Sequence, residues 1–318
     1  MHVAVTGAAG MIGRKLVARL VEDGRLGDAE LERLTLLDVV APDPPPQGTA
    51  FAGDLADPAT APRLAEGRPD VIVHLAAVVS GEAEADFAKG YRVNLDGTRA
   101  LLEAIRAADG YRPRLVFASS IAVFGAPLPN PIPEDFATLP LTSYGTQKAI
   151  DELLLADYTR RGFVDGVGIR LPTICIRPGA PNKAASGFFS NILREPLVGR
   201  EAVLPVPETV RHWHASPRSA VGFCLRASTI DTEQIGPRRT LSMPGLSATV
   251  GEQIEALRRL GGEAAVRLIR HEPDPDVMRM IGGWAAALDA SRAERLGFVA
   301  EKSFDEIIRV HLEDELHR

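Results

Sequence analysis

The sequence predicts an α/β protein: a doubly wound parallel sheet with a smaller, interleaved C-terminal lobe. Three observations carry that expectation. Short apolar runs alternate with helical stretches through residues 1 to 178. A glycine-rich turn, VTGAAGMIG, joins the first run to the first helix. After residue 178 the alternation gives way to proline-punctuated pieces, RPGAPNKAASGFFSNILREPLVGREAVLPVPETVRHWH among them.

The runs HVAVTG, LTLLD, VIVHLAA, RLVFASS and GVGIRL are apolar on both faces, as strands of a parallel sheet covered on each side by helices must be. Between the first two, Ile12, Leu16 and Leu20 with Val17 and Val21 make a helical stripe, and Gly24 stops it. GRLGDAELER is an insertion before the second strand, PDPPPQG a surface loop after it, and GDLAD follows a further short strand. Residues 82 to 108 read as one helix, clearest at GTRALLEAI, and LTSYGTQKAIDELL opens another after a proline-rich loop. The βαβ rhythm implies right-handed crossovers. In the second lobe VGFCLRAST and RTLSMPG read as segments returning to the first domain, and residues 289 to 316 as helix interrupted at Leu-Gly-Phe.

Hydrophobic residues at 45% and charged residues at 25% are ordinary for a globular protein. A net charge of −6 argues against nucleic acid or an acidic membrane as partner. MHVAVTGAAG carries no signal-peptide pattern, and VIVHLAAVV is too short to cross a bilayer. Cys175 and Cys224 form neither a metal spacing nor a disulfide framework. We expect a cytoplasmic protein.

Gly7, Gly10 and Gly13 sit between strand and helix, where glycine permits a tight turn, close approach of backbone to a pyrophosphate, and close helix packing. The helix N-terminus adds free N–H groups and a positive dipole end. Asp38 ends the second strand, LTLLD, placed to accept bonds from ribose hydroxyls and to repel a 2′-phosphate. This is the Rossmann-type arrangement, with NAD rather than NADP as cofactor. The division that follows is an NAD-binding domain over residues 1–178, with returning segments near 215–245, and a mainly substrate-binding lobe over 179–318.

Tyr144 and Lys148 lie four apart at the head of a helix, hence on one face. With VTGAAGMIG, GDLAD, HLAA, VNLDGT, FASSIAVFG and YGTQK in that order, the chain resembles the extended short-chain dehydrogenase/reductase family of NAD-dependent epimerases and dehydratases. The resemblance implies Ser120, Tyr144 and Lys148 as the catalytic set. It places Asp54 against the adenine, lines the cofactor cleft with Leu75, Ala76 and Ala77, and makes Asn94 a brace near the lysine. We also expect Met11, Ile12, Leu55, Leu171 and Thr173 at the cofactor. His74 reads as a core histidine. Family members pair through the segments matching 82–108 and 144–161, which implies a homodimer.

The chemistry fits those residue types. A phenol with its ordinary pKa near 10 needs about 3 units, or about 4 kcal/mol, to serve as a base at neutral pH. An ammonium one turn away and the positive nicotinamide ring both act in that direction. Ser120 can hydrogen-bond the reacting oxygen. Ser119 is its neighbour, turned the other way by strand alternation.

For the substrate, Ile121 and Ala122 stand where dehydratases carry an Asp-Glu pair, and Ser216 and Pro217 where nucleotide-sugar enzymes carry an Asp pair in the second lobe. LLDVVAP, HLAAVVSGEAEADF, SYGTQKAI, RRGFVDG, RLPT, RPGAPNKAASGF and RHW resemble the D-erythronate dehydrogenase-like branch of the family. That branch implies oxidation of a four-carbon sugar acid. Arg177 or Arg211 would hold its carboxylate, with Ser80, Thr173 or Asn182 on its hydroxyls and Ser120 and Tyr144 at the reacting carbon. We expect no metal at His212 and His214.

Overall fold

The computed structural model describes residues 1–179 and 186–317. Seven parallel strands form the main sheet: β1 (His2–Thr6), β2 (Arg33–Asp38), β3 (Gly48–Ala52), β4 (Val71–His74), β5 (Arg114–Ser120), β6 (Asp165–Leu171) and β7 (Thr240–Ser242). Their spatial order is 3-2-1-4-5-6-7. The order reverses between β1 and β4, and such a switch point leaves a crevice at the carboxyl ends of the strands. Every residue of β1 and β4 is buried, because helices cover both faces.

On one face pack α1 (Met11–Asp23) and α5 (Pro217–Thr229), which join Leu16, Leu20, Phe223 and Cys224 to the underside of the strands. On the other, α2 (Gly97–Ala107) and α3 (Ser143–Arg160) contribute Leu101, Leu102, Ile105 and Leu155. Each such fully buried side chain is worth about 1.5–3 kcal/mol. α1 ends as its sequence requires: Gly24 takes φ 61° and donates its N–H to the Leu20 carbonyl. The insertion before β2 makes a short antiparallel hairpin, Arg25–Leu26 against Ala29–Glu30.

Residues 82–108 do not form the single helix expected. Asp86 leaves helical geometry (φ −126°, ψ 87°) and caps a new turn by accepting the Lys89 N–H at 3.0 Å. Tyr91–Asp96 then widens into a π turn before α2 begins. Side chains that prefer to bond the backbone locally interrupt a helix in this way, and π turns collect at functional sites.

The second lobe has its own core, in which α4 (Gly187–Leu197), α6 (Val250–Val266) and α7 (Phe304–Leu316) bury Phe189, Ile192, Leu257, Ile307 and Ile308. Strand Arg211–Ala215 pairs with Thr173–Ile174, just past β6, and with Leu246–Thr249. A strap at 284–290 crosses back over the sheet edge. It is held by the Ile132 N–H on the Ala287 carbonyl (2.9 Å) and the Asp289 N–H on the Ile132 carbonyl (2.8 Å). No helix among the described residues is long and apolar enough to cross a membrane.

Candidate active site

The glycine loop can only be glycine. Gly7 has φ 72°, and a Cβ there would stand 2.7 Å from the Ala76 nitrogen; at Gly13 it would stand 2.7 Å from the Ala8 Cα. The loop therefore lies directly on the chain leaving β4. Gly10 begins α1 with no side chain capping the helix and no acidic residue in its first turn. Its free N–H groups and positive dipole end suit a diphosphate. At the end of β2, Asp38 accepts the Ala9 N–H at 2.9 Å and the Val39 N–H at 2.7 Å, so its carboxylate is held beside the same loop. A cradle closed to any side chain, an open helix terminus and a fixed carboxylate together fit NAD. Asp38→Ala is expected to lower the NAD-to-NADP ratio of kcat/KM by at least about tenfold, since a charge repulsion of about 1.4 kcal/mol or more disappears. Steady-state rates with the two cofactors measure it.

The other expected cofactor residues line the same carboxyl edge. Asp54 follows β3 with Leu55 buried beside it. Burial pushes the Asp54 carboxyl up, but the Arg92 guanidinium and the Ala56 N–H hold it below its ordinary value. Arg92, from the π turn, was not anticipated. Asn94 is buried and clamps two segments. Its oxygen accepts the Val78 N–H at 2.8 Å, while its NH2 reaches the Val78 carbonyl at 3.2 Å and Gln147 at 2.7 Å. That fixes residues 76–80 against α3. His74 is a core histidine: its ring nitrogens meet Thr6 at 2.7 Å and Thr98 at 3.0 Å. Burial, with the charge of Lys148, holds its pKa down to about 3.

Beyond the glycines opens a cavity of about 420 Å³, reaching from Gly7, Met11, Ile12 and Leu75 past Ala77 and Leu171 to Trp284. Ser120, Tyr144 and Lys148 meet on its wall. Thr142 caps α3 by accepting the Gly145 N–H at 3.1 Å, which sets Tyr144 and Lys148 in the first turns. A Cβ on Gly145 would come within 2.9 Å of the Pro140 Cβ, so the helix packs tightly on the loop after β5. Ser120 ends β5 facing the cavity, its oxygen accepting the Ala122 N–H at 3.1 Å. Ser119, one residue back, is buried and donates to Glu152, itself paired with Arg170 at 2.7 Å. Alternation along the strand thus turns Ser119 to Glu152.

The phenol's proton affinity is governed first by burial, which acts against the lowering expected from a nearby ammonium. In the protein alone, burial pushes Tyr144 up to about 12, while a Ser120 hydrogen bond and the Arg177 charge pull it down. Lys148 is itself buried, with its ammonium 4.6 Å over the Phe117 ring and 5.8 Å from the Tyr144 ring centre. Desolvation of this size is a property of the whole surrounding mass, which no local motif reports.

At the far end, Ser80, Thr173, Arg177 and Ser186 line the cavity with His212 and Trp284. Arg177 is held by the Ile174 carbonyl at 3.0 Å and Ser186 at 2.8 Å. Burial lowers its pKa, and among the described residues no carboxylate pairs with it. Arg211 is not there. Along its strand alternate residues face opposite ways. Arg211 is exposed, bonding the Ser247 carbonyl at 3.1 Å and pairing with Glu252 at 3.3 Å. His212, one residue on, lines the cavity instead, 2.7 Å from the Thr173 hydroxyl and stacked on Phe189. Asn182 lies outside the described residues. His212 and His214 face each other at 5.3 Å. No group of three His, Cys, Asp or Glu among the described residues forms a metal site. Ser216 and Pro217 start α5: Ser216 accepts the Ser219 N–H at 3.0 Å and binds Glu301. Thr142, Ser186 and Trp284 were missed. Thr142 is a threonine just before the Tyr144 helix, a position that favours a helix cap, and Trp284 arrives from the strap with no local signal.

Comparison with known proteins agrees with this geometry. The model of the NAD dependent epimerase/dehydratase family matches residues 3–213. A D-erythronate dehydrogenase of Cupriavidus necator is 48% identical over 99% of this chain and 98% of its own. One from Haemophilus influenzae is 39% identical over 99% and 100%. A crystal structure of a nucleoside-diphosphate-sugar epimerase from Agrobacterium tumefaciens superposes with a TM-score of 0.97, at 68% identity, over 100% of this chain and 95% of that one.

Proposed function

Because this chain belongs to the NAD-dependent epimerase/dehydratase family, we propose that it is an NAD-dependent dehydrogenase of a small sugar acid, D-erythronate, giving 2-oxo-tetronate. The observation that carries this reading is Arg177. A half-buried guanidinium that, among the described residues, has no carboxylate partner, in the cavity that holds Tyr144, is a counter-charge suited to an acid group. Arginine's fork also fits a carboxylate bidentately.

NAD, when bound, accepts the hydride from the carbinol carbon. The protein's residues do the rest. Tyr144 takes the hydroxyl proton, Ser120 hydrogen-bonds the same oxygen, and Lys148 keeps a positive charge near the phenol and toward the cofactor ribose. Arg177 holds the carboxylate and lowers the proton affinity of Tyr144 at the same time. Thr173 and Ser80 offer hydroxyls to the polar end of the acid. The glycine loop, Asp38, Asp54, Leu55 and the Leu75–Ala77 segment bind NAD, with Asn94 bracing the last of these. The domain division at 178 and a cytoplasmic homodimer pairing through residues 82–108 and 144–161 belong to the same reading. Light scattering of the purified protein, with Leu153→Glu on the exposed side of α3, tests the dimer.

The second reading, a nucleotide-sugar epimerase that retains its NAD, meets Ser216 and Pro217. They serve α5 as cap and first turn rather than offering carboxylates. NADH formation with purified protein, NAD and D-erythronate, L-threonate and D-threonate decides between the two. A burst of NADH on D-erythronate is the expected result. Silence on every acid, with a UDP-sugar interconverted, returns the protein to the epimerases.

A further inference from the structure

One turn beyond Lys148 on α3 lies Asp151, with 0% of its surface exposed. A buried carboxylate needs hydrogen bonds and a counter-charge. Asp151 has few of the former: one oxygen accepts a 3.4 Å bond from Thr98, and the other has no partner. Thr98 is already committed, donating to the Asn94 carbonyl at 2.6 Å and meeting His74 at 3.0 Å. The charged groups around it narrow quickly. His74 is neutral, Glu152 is engaged by Arg170 and Ser119, and Arg177 acts on Tyr144. Lys148 remains, itself only 2% exposed and, among the described residues, without an ion pair within 4 Å.

We propose that Asp151 is a positioning residue for hydride transfer: its buried carboxylate balances the Lys148 ammonium and so keeps that charge in place beside Tyr144. The proposal rests on the Ser120–Tyr144–Lys148 reading and adds a fourth participant that acts through the lysine. Burial lowers the proton affinity of Lys148 and raises that of Asp151, and each opposes the effect on the other. Remove the carboxylate and a buried lysine releases its proton within the working pH range. The cofactor side of the cavity then loses the fixed ammonium, while the phenol is relieved of the Asp151 charge that raises its proton affinity.

Asp151→Asn keeps the shape and removes the charge. The neutral-pH value of kcat/KM is expected to fall by about tenfold or more as the lysine loses its charge. In a Lys148→Met background the same substitution should cost no further activity. A second measurement needs neither substrate nor NAD. Lys148→Met leaves the carboxylate buried alone, so Lys148→Met/Asp151→Asn should melt above Lys148→Met at pH 7. An Asp151 that merely builds the helix gives the reverse order, and that result, or an Asp151→Asn kcat/KM at neutral pH equal to wild type, overturns the proposal. Should Asp151→Asn fail to fold, the melting order decides alone. Undiminished NADH formation by Lys148→Met would instead remove the underlying catalytic reading, while leaving the melting comparison intact.

Discussion

Tyr144→Phe is expected to lower kcat/KM for the sugar acid by about 10²- to 10⁴-fold, the usual contribution of a positioned acid–base group, with NAD affinity and melting temperature close to wild type. Among the described residues the phenol hydroxyl bonds Ser120 alone, so its removal leaves packing intact. The pH dependence is the sharper test. Burial raises the proton affinity of Tyr144, while Ser120 and Arg177 oppose it. A base becomes active only as pH rises through its pKa, so oxidation by the wild-type protein should climb toward alkaline pH. That climb should be absent from the residual activity of the phenylalanine variant. Undiminished activity in Tyr144→Phe would assign the proton transfer to another group.

Arg177→Gln should show the second largest loss. Charge-assisted hydrogen bonds to a carboxylate contribute about 1.5–3 kcal/mol each, so kcat/KM for the acid should fall by about 30- to 1000-fold, most of it through KM. Because the Arg177 charge also draws down the Tyr144 proton affinity, the acid limb of the profile should move to higher pH as well. A neutral polyol of the same length should lose far less, which separates lost carboxylate recognition from general damage to the cavity. Arg211→Ala is the control. Its ion pair with Glu252 is solvent-exposed, a contact worth about 1 kcal/mol or less, and KM for the acid should stay within about threefold. A large KM effect there with none at Arg177 would move the carboxylate site to the rim.

Much of this molecule is readable in its sequence because the relevant spacing is local. Apolar runs of β1, β4 and β5 are buried on both faces whatever follows them. Gly7 and Gly13 sit where any Cβ would strike backbone a few residues or one strand away. Tyr144 and Lys148 share a helical face because four residues make about one turn. The helix expected over 82–108 failed where short-range side-chain bonding at Asp86 competed with the helical pattern.

The tertiary structure decided what depends on distant segments meeting. Arg177 lines the cavity while Arg211 is turned away from it, because alternate residues of the 211–215 strand face opposite ways. Trp284 and His212 reach it from a strap and a strand more than ninety residues beyond Ser120. The proton affinities of Tyr144, Lys148 and Asp151 were also out of reach, because desolvation sums over every atom that displaces water around a charge. The sequence by itself determined the sheet, the glycine turn and the shared helical face of Tyr144 and Lys148, since each follows from the period of one element. The place of Arg177 in the cavity and the burial of Lys148 and Asp151 follow from how those elements pack.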